Sequence, residues 1–182
     1  MTFRRKQIYL TEGLLRENYP VLLKCLTDLE VVAYWYSAKR MVEFKTIDDI
    51  TNFVAEEPDE IFWEMYTTEG VFIGFVSLYD FKEKERCGFS ILILDKNYWG
   101  RGIGLEAITL MLHYAFNKLE MKTVVLETSE FHKSAIRLYE KVGFKKTDIV
   151  PNDRTIFHDG KWILSGTVIM ELKRSDFASL AV

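Results

Sequence analysis

The chain has 182 residues, 48% of them apolar and 28% charged, with a net charge of −3, which describes one soluble globular domain and offers no electrostatic case for nucleic-acid binding. Cys25 and Cys87 are too few and too isolated for a disulfide framework or a metal site, and no apolar run approaches the ~20 residues that span a bilayer. A cytoplasmic protein with no membrane partner is the expectation, since Met1-Thr-Phe-Arg-Arg-Lys-Gln7 leads into no apolar signal region.

Ile8-Tyr-Leu10 predicts a short strand. Glu17 to Leu29 carries Val21, Leu22, Cys25, Leu26 and Leu29 at helical spacing, with Pro20 tolerable in a first turn. Thr46 is a candidate N-cap, with acids behind it, for a second helix to about Glu56. Three strands follow over Ile61–Thr67, Val71–Phe81 and Cys87–Leu94. The apolar positions Leu105, Ile108, Leu112, Ala115, Phe116 and Leu119 then share one helical face. Thr123–Thr128 predicts a buried strand, and His132–Val142 a helix closed by Gly143. Phe144–Val150, Arg154–His158 and Trp162–Leu172 predict the last strands, with Asp159-Gly160 as a hairpin turn. The order predicts an α/β fold: a mixed sheet with helices on both faces.

The stretch Asp95-Lys-Asn-Tyr-Trp-Gly-Arg-Gly-Ile-Gly-Leu-Glu-Ala107 joins the third of these strands to the long helix. Glycines let backbone turn tightly and approach a ligand closely. The first amides of a helix are unpaired and lie at its positive end, which suits phosphate. A plain strand-to-helix turn would use the same glycines. A P-loop needs Lys-Ser/Thr after its last glycine, and Gly104 is followed by Leu-Glu. A Rossmann fingerprint needs a different glycine spacing beside a first strand.

That turn, together with Ala135-Ile-Arg-Leu-Tyr-Glu-Lys-Val-Gly-Phe144, resembles the GCN5-related N-acetyltransferase (GNAT) superfamily. Trp99-Gly-Arg-Gly-Ile-Gly104 stands where the superfamily has Gln/Arg-x-x-Gly-x-Gly/Ala, and Tyr-Trp-Gly resembles the branch of ribosomal-protein-alanine and spermidine N-acetyltransferases. The resemblance implies a sheet split between a fourth strand, Cys87–Leu94, and a fifth, Thr123–Ser129, with acetyl-CoA in the split. It implies backbone bonds from Leu92, Ile93 and Leu94 to the pantetheine arm. Trp99, Gly100, Arg101, Gly102, Ile103 and Gly104 would form the diphosphate loop. His132 stands where many members have Asn, and is read either as a cofactor contact or as part of a helix cap. The family often dimerises, so a homodimer is an expectation of the same kind.

Tyr139 matches the family's general-acid tyrosine, and the helical stripe also allows it a plain core role. A phenol of pKa ~10 facing a thiol of roughly 8.5–10 is a workable donor to the leaving CoA thiolate. Asp80 and Glu127 are the candidate bases, with a turn residue and a strand-end charge as the plain alternatives. Acceptor selection would fall to the Glu30–Glu56 region and the last hairpin. Tyr34-Trp-Tyr36 and Phe157-His-Asp-Gly-Lys-Trp162 resemble segments of bacterial spermidine N-acetyltransferases, but Ser37-Ala-Lys-Arg40 replaces their acidic residues. The implied function is acetyl transfer from acetyl-CoA to a small amine or a peptide N-terminus. The competing reading is a catalytically silent CoA-binding regulatory module.

Overall fold

The computed structural model describes residues 1–56 and 58–178. Its strands are β1 (Thr2–Arg4), β2 (Ile8–Glu12), β3 (Ile61–Thr67), β4 (Phe72–Lys82), β5 (Arg86–Ile93), β6 (Thr123–Ser129), β7 (Lys145–His158) and β8 (Lys161–Lys173). The helices are α1 (Tyr19–Leu26), α2 (Leu29–Val32), α3 (Ala38–Met41), α4 (Ile47–Ala55), α5 (Ile103–Asn117), α6 (Lys133–Val142) and α7 (Arg174–Ala178).

All eight strands form one sheet in the order β1-β2-β3-β4-β5-β6-β8-β7. Every pairing is antiparallel except β5 with β6. That parallel pair is short: Arg86, Cys87 and Gly88 meet Thr123, Val124 and Val125, and there the pairing stops. Beyond Gly88 the strands part, which is the split the resemblance implied.

Alternation along the strands sorts two cores onto the two faces. Trp63, Met65, Val76, Leu78 and Phe89 pack with the inner stripes of α5 and α6. Phe75, Leu92 and Leu94 pack with α1 to α4. Gly104 lets α5 and α6 approach closely, since a Cβ there would lie 2.9 Å from Leu138 Cδ2.

Three boundaries differ from expectation. Thr2–Arg4 is a strand, although its pattern is polar, because it extends β2 as a hairpin closed by Arg5 N–H donating to Ile8 C=O. The predicted first helix ends at Leu26, and the Asp28 carboxylate caps a separate α2 through Glu30 N–H. A local side-chain bond of this kind competes with helix continuation. The two strands expected around Pro151 are one strand, β7, with register shifts at Lys146/Asp148 and Val150/Arg154. Proline is tolerated there because β7 is the sheet's edge. Among the described residues no helix is long and apolar enough to cross a membrane.

Candidate active site

The parting of β5 and β6 opens a cleft of about 1660 Å³, larger than the roughly 300–1,000 Å³ of most small-ligand pockets. One wall is β5. Leu94 N–H donates to Ile73 C=O on β4 at 2.8 Å. Antiparallel alternation therefore turns the polar groups of Leu92 and Leu94 toward β4, and those of Ile91 and Ile93 toward the split. This corrects the expectation for Leu92 and Leu94, whose side chains are buried against α1 to α4 and whose backbone is spent on β4. Ile91 and Ile93 both line the cleft. Trp99 Nε1 donates to Ile93 C=O at 2.9 Å, tying the glycine turn back onto β5.

At the end of that wall the chain makes two left-handed turns, with φ of 72° at Gly100 and 83° at Gly102. Gly102 is the N-cap of α5. Among the described residues no acceptor bonds the backbone N–H of Gly100, Arg101, Gly102, Ile103, Gly104 or Leu105. Successive unpaired amides at a helix N-terminus make a concavity for a multiply charged anion. Gln7 holds the loop from outside: its Nε2 donates to Arg101 C=O at 3.2 Å and to Glu106 at 3.1 Å. Arg101 itself lies exposed, its guanidinium 5.9 Å from the Tyr98 ring centroid.

The opposite wall comes from β6 and α6. Tyr139 lines the cleft and is buried, its ring edge-on to Phe144 at 6.0 Å. It is the seventh residue of α6. Burial pushes its phenol up to about 12. His132 occupies the N-cap position but makes no capping bond. Its ring stacks on Tyr34 at 4.5 Å and 19°. Burial pushes the imidazole down to about 4, so it is neutral at physiological pH. Tyr34 also reaches His158 Nδ1 at 3.3 Å, so three segments distant in sequence meet at this edge.

The two candidate bases separate. Asp80 sits in a left-handed turn, φ 45°, with its carboxylate 2.7 Å from Lys82 Nζ and 3.0 Å from Arg86 Nη2. Those bonds, Lys82's first, hold its pKa below the usual carboxylate value. It lines the cleft and braces a hairpin end, and a carboxylate held ionised by two cations is a weak proton acceptor. Glu127 does face the cleft from β6, half-exposed, with Arg154 Nη2 at 3.5 Å.

The sequence reading missed a polar floor. Tyr79 stands directly opposite Gly88, the last residue before the strands part. Its hydroxyl is within electrostatic reach of Glu127, Glu60, Tyr139 and Arg154. The Ser77 hydroxyl bonds the Glu60 carboxylate and lies 2.5 Å from Ser90 Oγ. A serine on each of two apolar strands was the signal available. Among the described residues no group of three or more His, Cys, Asp or Glu side chains is placed to hold a metal.

Residues 15–145 match the family model described as "Acetyltransferase (GNAT) domain". The chain belongs to that family. Among solved structures the acetyltransferase domain resembles a spermidine N-acetyltransferase from Vibrio cholerae, crystallised with CoA and spermine. The TM-score is 0.77 at 19% identity, covering 93% of this chain and 98% of that one. A GNAT-family acetyltransferase from Bacillus anthracis aligns with a TM-score of 0.76 at 14% identity, covering 96% and 99%. At such identities the likeness is one of fold.

Among curated proteins the domain is 29% identical to a probable N-acetyltransferase, YjcK, of Bacillus subtilis, over 59% of each chain. It is 31% identical to human N-acetyltransferase 8B, over 63% of this chain and 55% of that one. It is 26% identical to an N-acetylaspartate synthetase of Xenopus tropicalis, over 71% of this chain and 50% of that one. The acetyltransferase domain spans about half the length of the curated relatives it matches.

Proposed function

We propose that this domain transfers the acetyl group of acetyl-CoA to a primary amine by direct attack in a ternary complex. The observation that carries the reading is the run of unpaired amides from Gly100 to Leu105 at the mouth of the β5–β6 split. Those amides would hold the diphosphate. The split-facing groups of Ile91 and Ile93 would bond the pantetheine arm as a strand bonds its neighbour.

Acyl transfer needs a donor for the oxyanion, a fate for the amine's proton and a partner for the leaving thiolate. Ile93 N–H is the strand donor left for the oxyanion, since Leu94 N–H belongs to Ile73. An alkyl amine of pKa ~10 is only ~0.1% neutral at pH 7, a cost of about 4 kcal/mol. Glu127, which lines the cleft from β6 beside Arg154, would accept that proton, directly or through water. Tyr139 meets the thiolate. With its phenol near 12 and a thiol near ~8.5, full proton transfer is uphill by about 5 kcal/mol. Tyr139 therefore acts first as a hydrogen-bond donor to the developing thiolate and stays protonated at every ordinary assay pH. This refines the general-acid expectation.

The test is CoA-thiol release from acetyl-CoA against a panel of polyamines, amino acids and short peptides, run beside acetyl-CoA-dependent thermal shifts. Turnover on a member of the panel is the expected result. A thermal shift with no turnover on any amine would leave a CoA-binding regulatory module. Neither shift nor turnover would remove the cofactor site as well.

A further inference from the structure

Arg154 enters the cleft from the edge strand β7. The residue is 5% exposed. Its Nε donates to Thr167 Oγ1 at 2.7 Å, and Thr167 Oγ1 donates to Asp153 Oδ2 at 2.7 Å. That arrangement fixes the side chain's direction. The far end is less well served. Nη2 reaches Glu127 Oε2 only at 3.5 Å, the limit at which such a contact still counts as a hydrogen bond. Among the described residues no acceptor bonds Nη1. The Tyr36 ring lies across the guanidinium, 5.5 Å from its carbon, and is itself 62% exposed.

A guanidinium carries five N–H donors in a planar fork. Burying one is costly unless its donors are bonded and its charge is balanced. Here the stem is anchored, one face is covered by an aromatic ring, and the outer donors point into a cavity that the acceptor must enter. The fork matches a carboxylate, which takes two parallel N–H bonds. Glu127, Glu60 and the Tyr79 hydroxyl gather in the same part of the cleft, where the two carboxylates suit an ammonium and the neutral phenol oxygen can accept from it.

We propose that the acceptor carries a carboxylate as well as its amine, that Arg154 receives the carboxylate, and that this end of the cleft selects small amino acids. The proposal rests on the acetyl-transfer reading and names the substrate class of that same site. A polyamine has no anion for Arg154, and its second ammonium would meet a fixed buried cation. Arg154 is a specificity residue: it touches the acceptor away from the reacting atoms.

The experiment compares each α-amino acid with its own primary carboxamide as acceptor, with spermidine alongside. The pair has the same shape and differs in the anion. The amide's amine is the less basic, which on its own favours the amide. The expected result is a kcat/KM for the acid about ten- to a hundredfold above that for the amide, carried mainly by KM. Arg154→Gln should erase that preference, and Arg154→Lys should keep part of it. The wild-type pairs decide the matter even where a variant fails to fold. Equal turnover of acid and amide, a preference for spermidine, or an Arg154→Gln enzyme that keeps the preference would overturn the inference and leave acetyl transfer standing. Silence on every amine would overturn both.

Discussion

Gly88 is where β5 and β6 part, and its missing side chain is the reason Tyr79 can lie across the floor of the cleft. A Cβ built at Gly88 would come within 2.5 Å of Tyr79 Cε2 and 2.6 Å of Cζ. Ordinary carbon contacts lie near ~3.5–4.0 Å, so the overlap is about 1 Å. The backbone cannot yield, because Gly88 is paired to Tyr79 on one side and to Val125 on the other. The φ of Gly88 is not positive, so alanine there is free of backbone strain. Alanine for glycine in a strand would by itself gain about 0.5–1 kcal/mol. Displacing the ring should cost about 1–3 kcal/mol. Gly88→Ala should therefore destabilise the wild type and stabilise a Tyr79→Ala background, with a coupling energy of about 1–3 kcal/mol. Urea unfolding of the four proteins of the cycle measures it. The reasoning is refuted if Gly88→Ala shifts both backgrounds equally, within the ~0.3–0.5 kcal/mol expected of independent sites. In the intact background the displaced Tyr79 hydroxyl should also lower turnover.

Tyr139→Phe should reduce kcat by about 10²–10⁴ while leaving acetyl-CoA affinity unchanged. Because the phenol is pushed up to about 12, the wild-type rate should show no falling limb from this residue between pH 7 and 10; an unaltered kcat in the variant removes Tyr139 from the chemistry. His132, lowered to about 4 from 6.5, favours the neutral ring when folded. The unfolded chain thus takes up its proton first, and the stability this residue contributes is present above 6.5 and lost as pH falls toward 4, by up to about 3 kcal/mol. His132→Phe keeps an aromatic partner for Tyr34 and should flatten the melting temperature across that window; an unchanged pH slope would mean that the ring titrates normally. Gly102→Ala places its Cβ no nearer than 3.8 Å to Gln7, so only its left-handed backbone resists. The cost should be about 1–2 kcal/mol, or roughly 2–8 °C of melting temperature. Gly102→Asn should recover most of that loss, and an alanine variant that melts like the wild type would refute the strain argument.

What the sequence determined by itself is local. Apolar alternation and helical spacing placed five of the six longer strands and the helices α5 and α6, and read β7 as two strands, because burial on one face leaves a period that can be read along the chain. The glycine turn was legible for a similar reason: an unpaired helix start after two left-handed glycines is a property of one short segment. Tyr139 was legible through the motif around it, and its burial through the stripe it shares with Ala135 and Val142.

Only the tertiary structure decided which backbone groups face the split, since that depends on which neighbour each residue of β5 pairs with. The hydrogen bond from Leu94 to Ile73 is what turns the polar groups of Ile91 and Ile93 toward the split. The fate of Asp80 and Glu127 was equally hidden. Both are acids near strand ends that line the cleft, and only the fold sets one against Lys82 and Arg86 and the other against Arg154. Arg154 comes from β7, Tyr79 from β4 and Glu60 from the segment just before β3, and no spacing relates them. Long-range electrostatics and packing bring such residues together across sequence distance, and that distance is the information a one-dimensional pattern does not carry.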